Sequence, residues 1–326
     1  MLKQVLTLSL CALIAAAPLE AKSRKSSRKK AQTAQSAEKP KESAYDKLFK
    51  KKHEVADGMV KLHKVDDKLY FEFPQALFGR EMLLGSVISE TSDNLTGVPG
   101  SKSYTPLHIT FTKTGESVQI REINADNYTL GVAGNILRSL DRNNIPTIFR
   151  NFKIDAYNAD STAVVFNVTD LFVSHVKELS PFSYLGAYGG SGSSSLSESF
   201  KKELSSLGGI KSFADNLTVK STLSYTYSVT HPVTKQKIVD NEPLTAVMTR
   251  TLVLLPREPY RPRITDSRMS VFPTGKVLFS EHEQRAKVIY YAHRWRLEPS
   301  DMDAWKRGER VAPKKQIVFY VDDGFP

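Results

Sequence analysis

Three pairs of segments in which apolar and polar residues alternate, each pair joined by a short polar turn, constrain the fold of this chain most strongly. The first pair lies in GMVKLHKVDDKLYFEFP, residues 58–74. After a turn at residues 65–68, Leu69, Phe71 and Phe73 fall on one face of the second segment. Because alternation with a period of two is typical of a half-buried strand, the sequence predicts a β-hairpin here.

Two further pairs of segments repeat this pattern. PLHITFTK and SVQIREIN flank the turn TGE, and Leu107, Ile109 and Phe111 share one face of the first of them. IFRNFKIDAY and TAVVFNVTD flank the turn NADS, so Phe152 and Ile154 are expected to face the second strand of a third hairpin. Repeated hairpins predict antiparallel sheet rather than parallel sheet.

Two long segments complete the pattern of strands. Residues 216–230 (NLTVKSTLSYTYSVT) and 243–256 (PLTAVMTRTLVLLP) alternate over a length that favours an antiparallel pair. We therefore predict a β-rich α+β fold, with antiparallel hairpins, a large curved or barrel-like sheet and a few short helices. Further strands are predicted in EMLLGSVIS, as a more buried strand, and in KVIYYAHRWRLEP and QIVFYVDDGFP near the C-terminus.

Four short helices are also predicted. SAYDKLFKKK has Ser43 as its N-cap, and SDMDAWKRGE has Ser300 as its N-cap. The spacing of Leu137 and Leu140 predicts a helix in TLGVAGNILRSLDRNN, which two glycines weaken. The fourth is an amphipathic helix that ends at two glycines, with a stripe formed by Leu196, Phe200, Leu204 and Leu207.

The N-terminus has the features of an export signal. A positive charge at Lys3 precedes an apolar stretch at residues 5–17, which is too short to span a bilayer comfortably. We expect cleavage after Ala21 and an exported protein that is periplasmic, on the outer surface or extracellular. Cys11 is the only cysteine, so the mature chain would have no disulfide, no thiolate nucleophile and no cysteine ligand for zinc.

Residues 22–43 form a basic linker with eight Lys or Arg against two Glu. Low hydrophobicity and high charge predict disorder, either as a solvated spacer or as a segment that docks on anionic lipid or polysaccharide. A small N-terminal β subdomain at residues 44–100 and a larger β-rich domain at residues 101–326 are expected to follow. The rest of the chain is only mildly basic and has no second apolar stretch, so we expect neither nucleic acid as a partner nor a transmembrane segment.

Two His-Glu pairs raise the question of a zinc hydrolase. The H-E-x-x-H motif needs a second histidine four residues after the first, but Asp57 follows His53 at that spacing and Ala286 follows His282. The seven histidines include no pair at this spacing; they are residues 53, 63, 108, 175, 231, 282 and 293. The glycine-rich residues 189–195, expected to be a mobile loop, match neither a P-loop nor a nucleophile elbow. An autonomous hydrolase is therefore the least supported hypothesis.

A family resemblance runs through nearly all of the mature chain. SAYDKLFKKKHEVADGMVKLHKVDDKLYFEFP, GREMLLGSVISETSDN, VVFNVTDLF, RPRITDSRMSVF, YYAHRWRLEP and QIVFYVDDGFP occur in this order. Together they resemble the N-terminal region of a family of large, secreted bacterial zinc-dependent metalloproteases, a region described only as domains of unknown function. The resemblance covers residues 44–326.

In that family, the segment like FYVDDGFP leads into a metzincin-like catalytic domain with the motif H-E-x-x-H-x-x-G-x-x-H. This sequence ends at Pro326 and contains no such motif, so the resemblance implies no cofactor in this chain and zinc only in a downstream catalytic domain. Whether the chain is a natural truncation, a split gene or a fragment stays open.

The first hypothesis is thus a non-catalytic accessory or pro-region that packs on or orients a metalloprotease catalytic domain, in cis or in trans. Guanidinium groups pair with carboxylates and stack on aromatic rings, which suits a partner interface. An internal salt-bridge network is the alternative interpretation of the same residues. The candidate interface residues are Arg261, Arg263, Asp266, Arg268, His293, Arg294, Trp295 and Arg296.

Asp322 and Asp323 are candidates for a ligand pair to a metal held by such a partner, with a turn as the simpler interpretation. The second hypothesis is a stand-alone exported module that binds a peptide or a glycan on a sheet face. Its candidate platform consists of Tyr184, Tyr188, Tyr225 and Tyr227, although tyrosines at alternate positions are more often packed in a core.

Overall fold

The computed structural model describes residues 42–94, 97–102, 106–129, 134–182, 195–231, 233–280 and 285–321. The predicted signal peptide, most of the predicted basic linker and residues 189–194 of the loop predicted at residues 189–195 lie outside the described residues, whereas Ser195 begins the strand Ser195–Phe200. Tyr184, Tyr188, His282, Asp322 and Asp323 also lie outside the described residues. None of the helices in the described part of the chain has the length and apolar character that a membrane-spanning helix needs.

The described residues form fifteen strands and four α-helices. The helices are α1 (Ala44–Leu48), α2 (Asn135–Asn143), α3 (Thr169–Phe172) and α4 (Met302–Lys306). The strands are β1 (Glu54–Ala56), β2 (Lys61–Val65), β3 (Lys68–Pro74), β4 (Glu81–Thr91), β5 (Leu107–Thr114), β6 (Ser117–Glu122), β7 (Asn127–Thr129), β8 (Thr147–Tyr157), β9 (Ala163–Asn167), β10 (Ser195–Phe200), β11 (Ser206–Ser212), β12 (Asn216–Thr230), β13 (Lys237–Leu254), β14 (Pro273–Phe279) and β15 (Lys287–Ala292). The prediction of a β-rich α+β fold with a large antiparallel sheet is confirmed.

The three predicted hairpins are β2–β3, β5–β6 and β8–β9, and all three are antiparallel. In the first, Leu62 pairs with Phe71 across a two-residue turn. Asp66 holds this turn with a φ of 52°, in the left-handed region that aspartate tolerates better than most residues. The predicted long pair is β12–β13, whose register runs from Asn216 opposite Val253 to Thr230 opposite Lys237.

Twelve strands form one sheet in the order β1-β2-β3-β9-β8-β6-β5-β4-β13-β12-β10, with β11 also paired to β12. The sheet curves until β11 returns to β2. There Lys64 Nζ donates to Gly208 O at 2.8 Å and Ser212 Oγ donates to Val60 O at 2.7 Å. The result is a nearly closed barrel. Strands from both sides of residue 100 share this sheet, and the division of the chain at residue 100 stays a prediction.

The chain that follows β9 packs on the inner face of the barrel. Leu171, Phe172, Val176 and Leu179 are buried in the same core as the inward-facing residues of the strands. Ser86 Oγ on β4 donates to Leu179 O at 2.9 Å, which ties this segment to the sheet wall. The interior is therefore filled by protein, as in other small barrels.

The predicted amphipathic helix at residues 196–207 is wrong. Residues 195–200 form β10 and residues 206–212 form β11, with one 3₁₀ turn between them (Lys202–Leu204). Leu196 and Phe200 lie opposite Val229 and Tyr225 of β12. A spacing of four residues fits both the helical period and the alternation of a strand, so the stripe did not discriminate between them.

Two details near the C-terminus also differ from prediction. Asp301, not Ser300, caps α4, because its side chain accepts hydrogen bonds from the backbone N–H groups of Asp303 and Ala304. The segment QIVFYV (residues 316–321) is not a strand. A strand needs a neighbour for its backbone, and no backbone hydrogen bond joins residues 316–321 to the rest of the described chain.

Candidate functional site

Exposed apolar side chains concentrate in the last part of the described chain. Fourteen of the twenty-four exposed large apolar residues lie between residues 264 and 321, whereas Ala304 is the single buried apolar residue after Leu252 among the described residues. We call these fourteen residues the C-terminal surface. They are Ile264, Met269, Phe272, Val288, Tyr290, Trp295, Leu297, Met302, Trp305, Ile317, Val318, Phe319, Tyr320 and Val321.

Part of the C-terminal surface lies on a small second sheet in which β14 lies between β15 and β7. The outer edge of β15 is closed by an extended segment, because Thr265 N–H donates to Tyr290 O at 2.8 Å and Ala292 N–H donates to Arg263 O at 2.9 Å. Val288 and Tyr290 of β15 are exposed. A three-stranded sheet of this size normally needs an apolar face packed on something else.

The fold brings together the two cationic stretches that the sequence singles out. The guanidinium of Arg294 lies over the ring of Tyr260, 4.0 Å from its centroid, and that of Arg296 lies 5.5 Å from the same centroid. Arg294 also donates to Arg261 O at 2.7 Å. Both terminal nitrogens of Arg294 already donate within the chain, to the Tyr260 hydroxyl and to Arg261 O. Stacking on the ring holds the guanidinium in place, and the second hydrogen on each of these nitrogens is left for a partner.

Other members of the predicted interface behave differently. Arg268 forms a fork with the Asp266 carboxylate, at 2.8 and 2.6 Å, and these hydrogen bonds lower the pKa of Asp266 to about 2. His293 is exposed and lies 2.5 Å from the Thr274 hydroxyl through Nε2. Arg261 and Arg263 form no ion pair within the described residues, so their charges are free for a partner.

Residues 316–321 form the most exposed part of the C-terminal surface. Tyr320 is 95% exposed, and Phe319 is 77% exposed although its ring lies edge-on to that of Trp295. The segment carries no charged residue, and its side chains do not alternate between polar and apolar. Its composition is therefore that of a buried strand, while its surroundings in the described chain are open.

The charge of this part of the chain is positive. Residues 256–321 contain fourteen Lys or Arg against eight Asp or Glu. At least four of the acidic residues are used locally: Asp266 pairs with Arg268, Glu298 with Arg296, Asp303 with Lys306 and Glu309 with Arg307. A binding partner for this region would match it best with an apolar face surrounded by carboxylates.

Two of the four candidate platform tyrosines do not form an exposed platform. Tyr225 and Tyr227 on β12 are 1% and 2% exposed and belong to the barrel core. Burial raises the pKa of each phenol to about 12. Tyr227 donates its hydroxyl hydrogen to Asp93, whereas the Tyr225 hydroxyl has no hydrogen-bond partner among the described residues. Binding of a peptide or a glycan stays a prediction.

Two of the histidines come together with a carboxylate. His53 Nε2 lies 2.9 Å from His63 Nδ1, and His63 Nε2 lies 2.9 Å from Glu72 Oε2. The three side chains form a line and not a cluster around one point. Among the described residues, no group of three His, Cys, Asp or Glu side chains has a geometry that holds a metal ion.

A buried arginine was missed by the sequence analysis. Arg250 on β13 is 0% exposed, and burial lowers the pKa of its guanidinium to about 10. It donates to Leu171 O at 2.5 Å and to Ser174 O at 3.3 Å, so it holds α3 and the following turn inside the barrel. The alternation of β13 could have indicated that Arg250 is buried, because residue 250 falls on the same face as Met248 and Leu252.

The comparisons with known proteins leave the function open. The family described as Domain of unknown function (DUF5117) matches residues 100–300, and the family described as Domain of unknown function (DUF5118) matches residues 42–91. No curated protein matches the chain. No solved structure matches it either.

Proposed function

Because the chain belongs to the DUF5117 family, which has no assigned function, we propose a function from its site: a non-catalytic accessory region that binds a protein domain through the C-terminal surface. The observation that carries this proposal is the contrast between fourteen exposed large apolar residues and one buried apolar residue over the same stretch. Full burial of one such side chain contributes about 1.5–3 kcal/mol. A partner that covers even part of the surface therefore gains substantial free energy.

The partner that fits this surface is a protein with an apolar face and an acidic rim. Arg261 and Arg263 have no ion pair within the described residues, and Arg294 and Arg296 stack on Tyr260 next to Trp295. Arginine and tryptophan are enriched among the residues that dominate protein–protein binding. Aliphatic and aromatic neighbours around such anchors exclude water from them.

The family resemblance identifies the most specific candidate for the partner. We propose that it is the zinc-dependent catalytic domain of the secreted metalloproteases whose N-terminal region this chain resembles. Zinc would then belong to the partner, and export to the periplasm or beyond would place both proteins in one compartment. Packing on that domain would orient or shield its active-site cleft.

Residues 316–321 provide the physical means of attachment. An extended apolar segment with unpaired backbone groups can add as a strand to the edge of a partner's sheet, where main-chain hydrogen bonds give affinity and alternate side chains give specificity. Val318 and Tyr320 would share one face of such a strand, and Phe319 the other.

The test is a binding measurement between two purified proteins. The full chain is titrated with a separately expressed metalloprotease catalytic domain that carries the H-E-x-x-H-x-x-G-x-x-H motif, and Kd is measured by calorimetry. We expect binding, and we expect the double substitution Val318→Ser and Tyr320→Ser to raise Kd by roughly tenfold or more, because truncation of a central interface side chain commonly costs more than about 1.4 kcal/mol.

The matched control is Ile145→Ser with Val233→Ser, which removes apolar area that is equally exposed but lies far away in sequence. The control pair should leave Kd within twofold of wild type. Equal losses in both double variants, or no binding by the wild-type chain, would contradict the proposal. A peptidase assay of the chain alone accompanies the titration, with no cleavage expected.

A further inference from the structure

A continuous line of hydrogen bonds crosses the outer face of the β2–β3 hairpin. It runs from Lys51 O to His53 Nδ1 at 2.8 Å, then from His53 Nε2 to His63 Nδ1 at 2.9 Å. It continues from His63 Nε2 to Glu72 Oε2 at 2.9 Å, where Tyr45 Oη also donates to Glu72 at 2.8 Å. His63 and Glu72 are buried.

The number of protons in this line follows from its geometry. Lys51 O can only accept, so His53 Nδ1 must carry a hydrogen. One hydrogen must lie between His53 and His63, and another between His63 and Glu72, if every contact is a hydrogen bond. Three hydrogens are needed, whereas two neutral imidazoles supply two.

We propose that His53, His63 and Glu72 bind one shared proton, and that this three-residue relay is a pH-sensitive latch that holds α1 against the barrel. With one extra proton, the two imidazoles and the carboxylate are neutral as a group. The extra proton can sit on His53, which then donates to His63, or on Glu72, whose O–H then donates to His63. His63 is neutral in both of these arrangements. A proton on His63 would also fill every contact, but it would charge a buried ring, and burial lowers the pKa of His63.

Protonation of both rings has no place in the relay, whether or not Glu72 is also protonated. It would put N–H groups on both His53 Nε2 and His63 Nδ1, which face each other at 2.9 Å. That contact would change from a hydrogen bond into a clash between two donors, and the buried ring would become charged. Acid therefore breaks the relay at its centre.

The relay is also what fastens α1. The ring of Phe49, the C-cap of α1, stacks on His63 and on His53 with centroids 4.0 and 5.1 Å apart. Tyr45 of α1 donates to Glu72. A helix of five residues has no stability of its own, so α1 depends on these contacts and on a small apolar cluster. That cluster consists of Tyr45, Leu48 and Phe49 over Val65, Tyr70, Ala156 and Val165.

The surrounding charges favour release in acid. Lys61 on β2 lowers the pKa of His63, as does a charge on His53. Burial is the largest single cause and lowers the pKa of His63, the hydrogen bond to Glu72 on β3 and the charge of Glu72 raise it, and the net shift is downward. From α1, Tyr45 contacts the relay through its hydrogen bond to Glu72. Burial is the largest cause that raises the pKa of the Tyr45 phenol to about 12, and the charge of Asp46 raises it further, so this hydroxyl stays a donor throughout. The nearby Glu54 and Lys64 pair with each other at 3.7 Å.

The test is hydrogen exchange of the full chain at pH 7.5 and at pH 5.0, read by mass spectrometry over residues 42–50 and corrected for the intrinsic effect of pH. We expect exchange in this segment to rise about tenfold or more at pH 5.0, as local opening without global unfolding, while peptides of β12 and β13 stay protected. In His53→Gln, whose amide can still contact His63 but cannot be protonated, the rise should disappear. His108→Gln, at the His108–Glu81 contact of 2.8 Å on β5 and β4, is the matched control and should behave as wild type.

Equal protection of residues 42–50 at both pH values would overturn the proposal, and so would a rise in His53→Gln as large as that in wild type. Imidazole ¹⁵N spectra of the wild-type chain at pH 7.5 provide a measurement that needs no variant. His63 should be a neutral ring, and His53 Nδ1 should carry its hydrogen in either arrangement. A bare His53 Nδ1 would refute the proton count directly.

Discussion

The indole ring of Trp295 lies edge-on to the ring of Phe319, with centroids 6.3 Å apart, and each ring keeps more than three-fifths of its surface exposed. This contact joins the cationic stretch at residues 293–296 to residues 316–321. It is the kind of aromatic pair that anchors an interface when a partner covers it.

Substitution of Phe319 should reduce self-association of the isolated chain without changing the stability of its fold. Phe319→Ser removes an exposed ring, so the free energy of unfolding in urea should change by less than about 0.5 kcal/mol. Binding of a hydrophobic dye and self-association at high concentration should both fall, because a large exposed apolar patch promotes association. Phe166→Ser, in the barrel core, is the contrasting control and should destabilise the fold by several kcal/mol.

Arg250 should be a structural residue of the barrel interior. In Arg250→Met, the carbonyls of Leu171 and Ser174 lose their donor, so we expect a loss of about 1–3 kcal/mol in the free energy of unfolding. Faster hydrogen exchange over residues 169–176 should accompany the loss. The exposed Arg268→Met should stay within about 0.5 kcal/mol of wild type. Equal stability of the two variants would mean that Arg250 does not hold α3.

Two adjacent glycines of β11 should respond very differently to alanine. A Cβ at Gly208 would lie 2.9 Å from Lys220 O, whereas a Cβ at Gly209 meets nothing within 4 Å. Gly208→Ala should therefore cost about 1–3 kcal/mol through overpacking, and Gly209→Ala much less. Urea unfolding of both variants tests the bulge that lies between Leu207 and Ile210, and similar small effects in the two variants would speak against it.

Tyr225 gives a prediction for alkaline pH. Burial raises the pKa of Tyr225 to about 12. The contribution of the neutral phenol to the free energy of unfolding is therefore fully present below pH 10, and it is lost as pH rises from 10 toward 12. In Tyr225→Phe, the decline in the free energy of unfolding over this range should be smaller by roughly 2–3 kcal/mol, at 1.36 kcal/mol per pKa unit.

At pH 7 the same variant should be nearly as stable as wild type, because the Tyr225 hydroxyl has no hydrogen-bond partner in the described part of the chain. Tyr320→Phe, with an exposed phenol, is the control and should show the wild-type alkaline decline. An alkaline decline in Tyr225→Phe that equals wild type would show that this phenol is not buried.

The local pattern of the sequence predicted much of the fold. Hairpins such as β2–β3 were predictable because Leu69, Phe71 and Phe73 alternate with polar residues on both sides of a recognisable turn. Ser43 was predictable as the cap of α1 from its side chain alone. The register of long-range strand pairs was not predictable from the sequence. Nothing in the residues around Lys64 and Gly208 indicates that these two meet and nearly close the barrel.

In the candidate sites, too, local features were predictable from the sequence and long-range contacts were not. The stretches around Arg261 and Arg294 were singled out by composition, but their meeting on Tyr260 depends on tertiary structure. His53 and His63 belong to the segment after α1 and to β2, ten residues apart, so no helical motif could join them. Residues 316–321 have the composition of a strand but have no neighbouring strand within the described chain. Composition alone cannot reveal that absence.

The measurement that tests the central claim most directly is hydrogen exchange of the full chain with and without the separate metalloprotease catalytic domain. Binding through the C-terminal surface predicts strong protection of residues 316–321, together with residues 263–265 and 288–296, and no change over residues 233–241. Exchange over residues 316–321 that is unaffected by saturating catalytic domain, or protection confined to the barrel strands, would contradict the account.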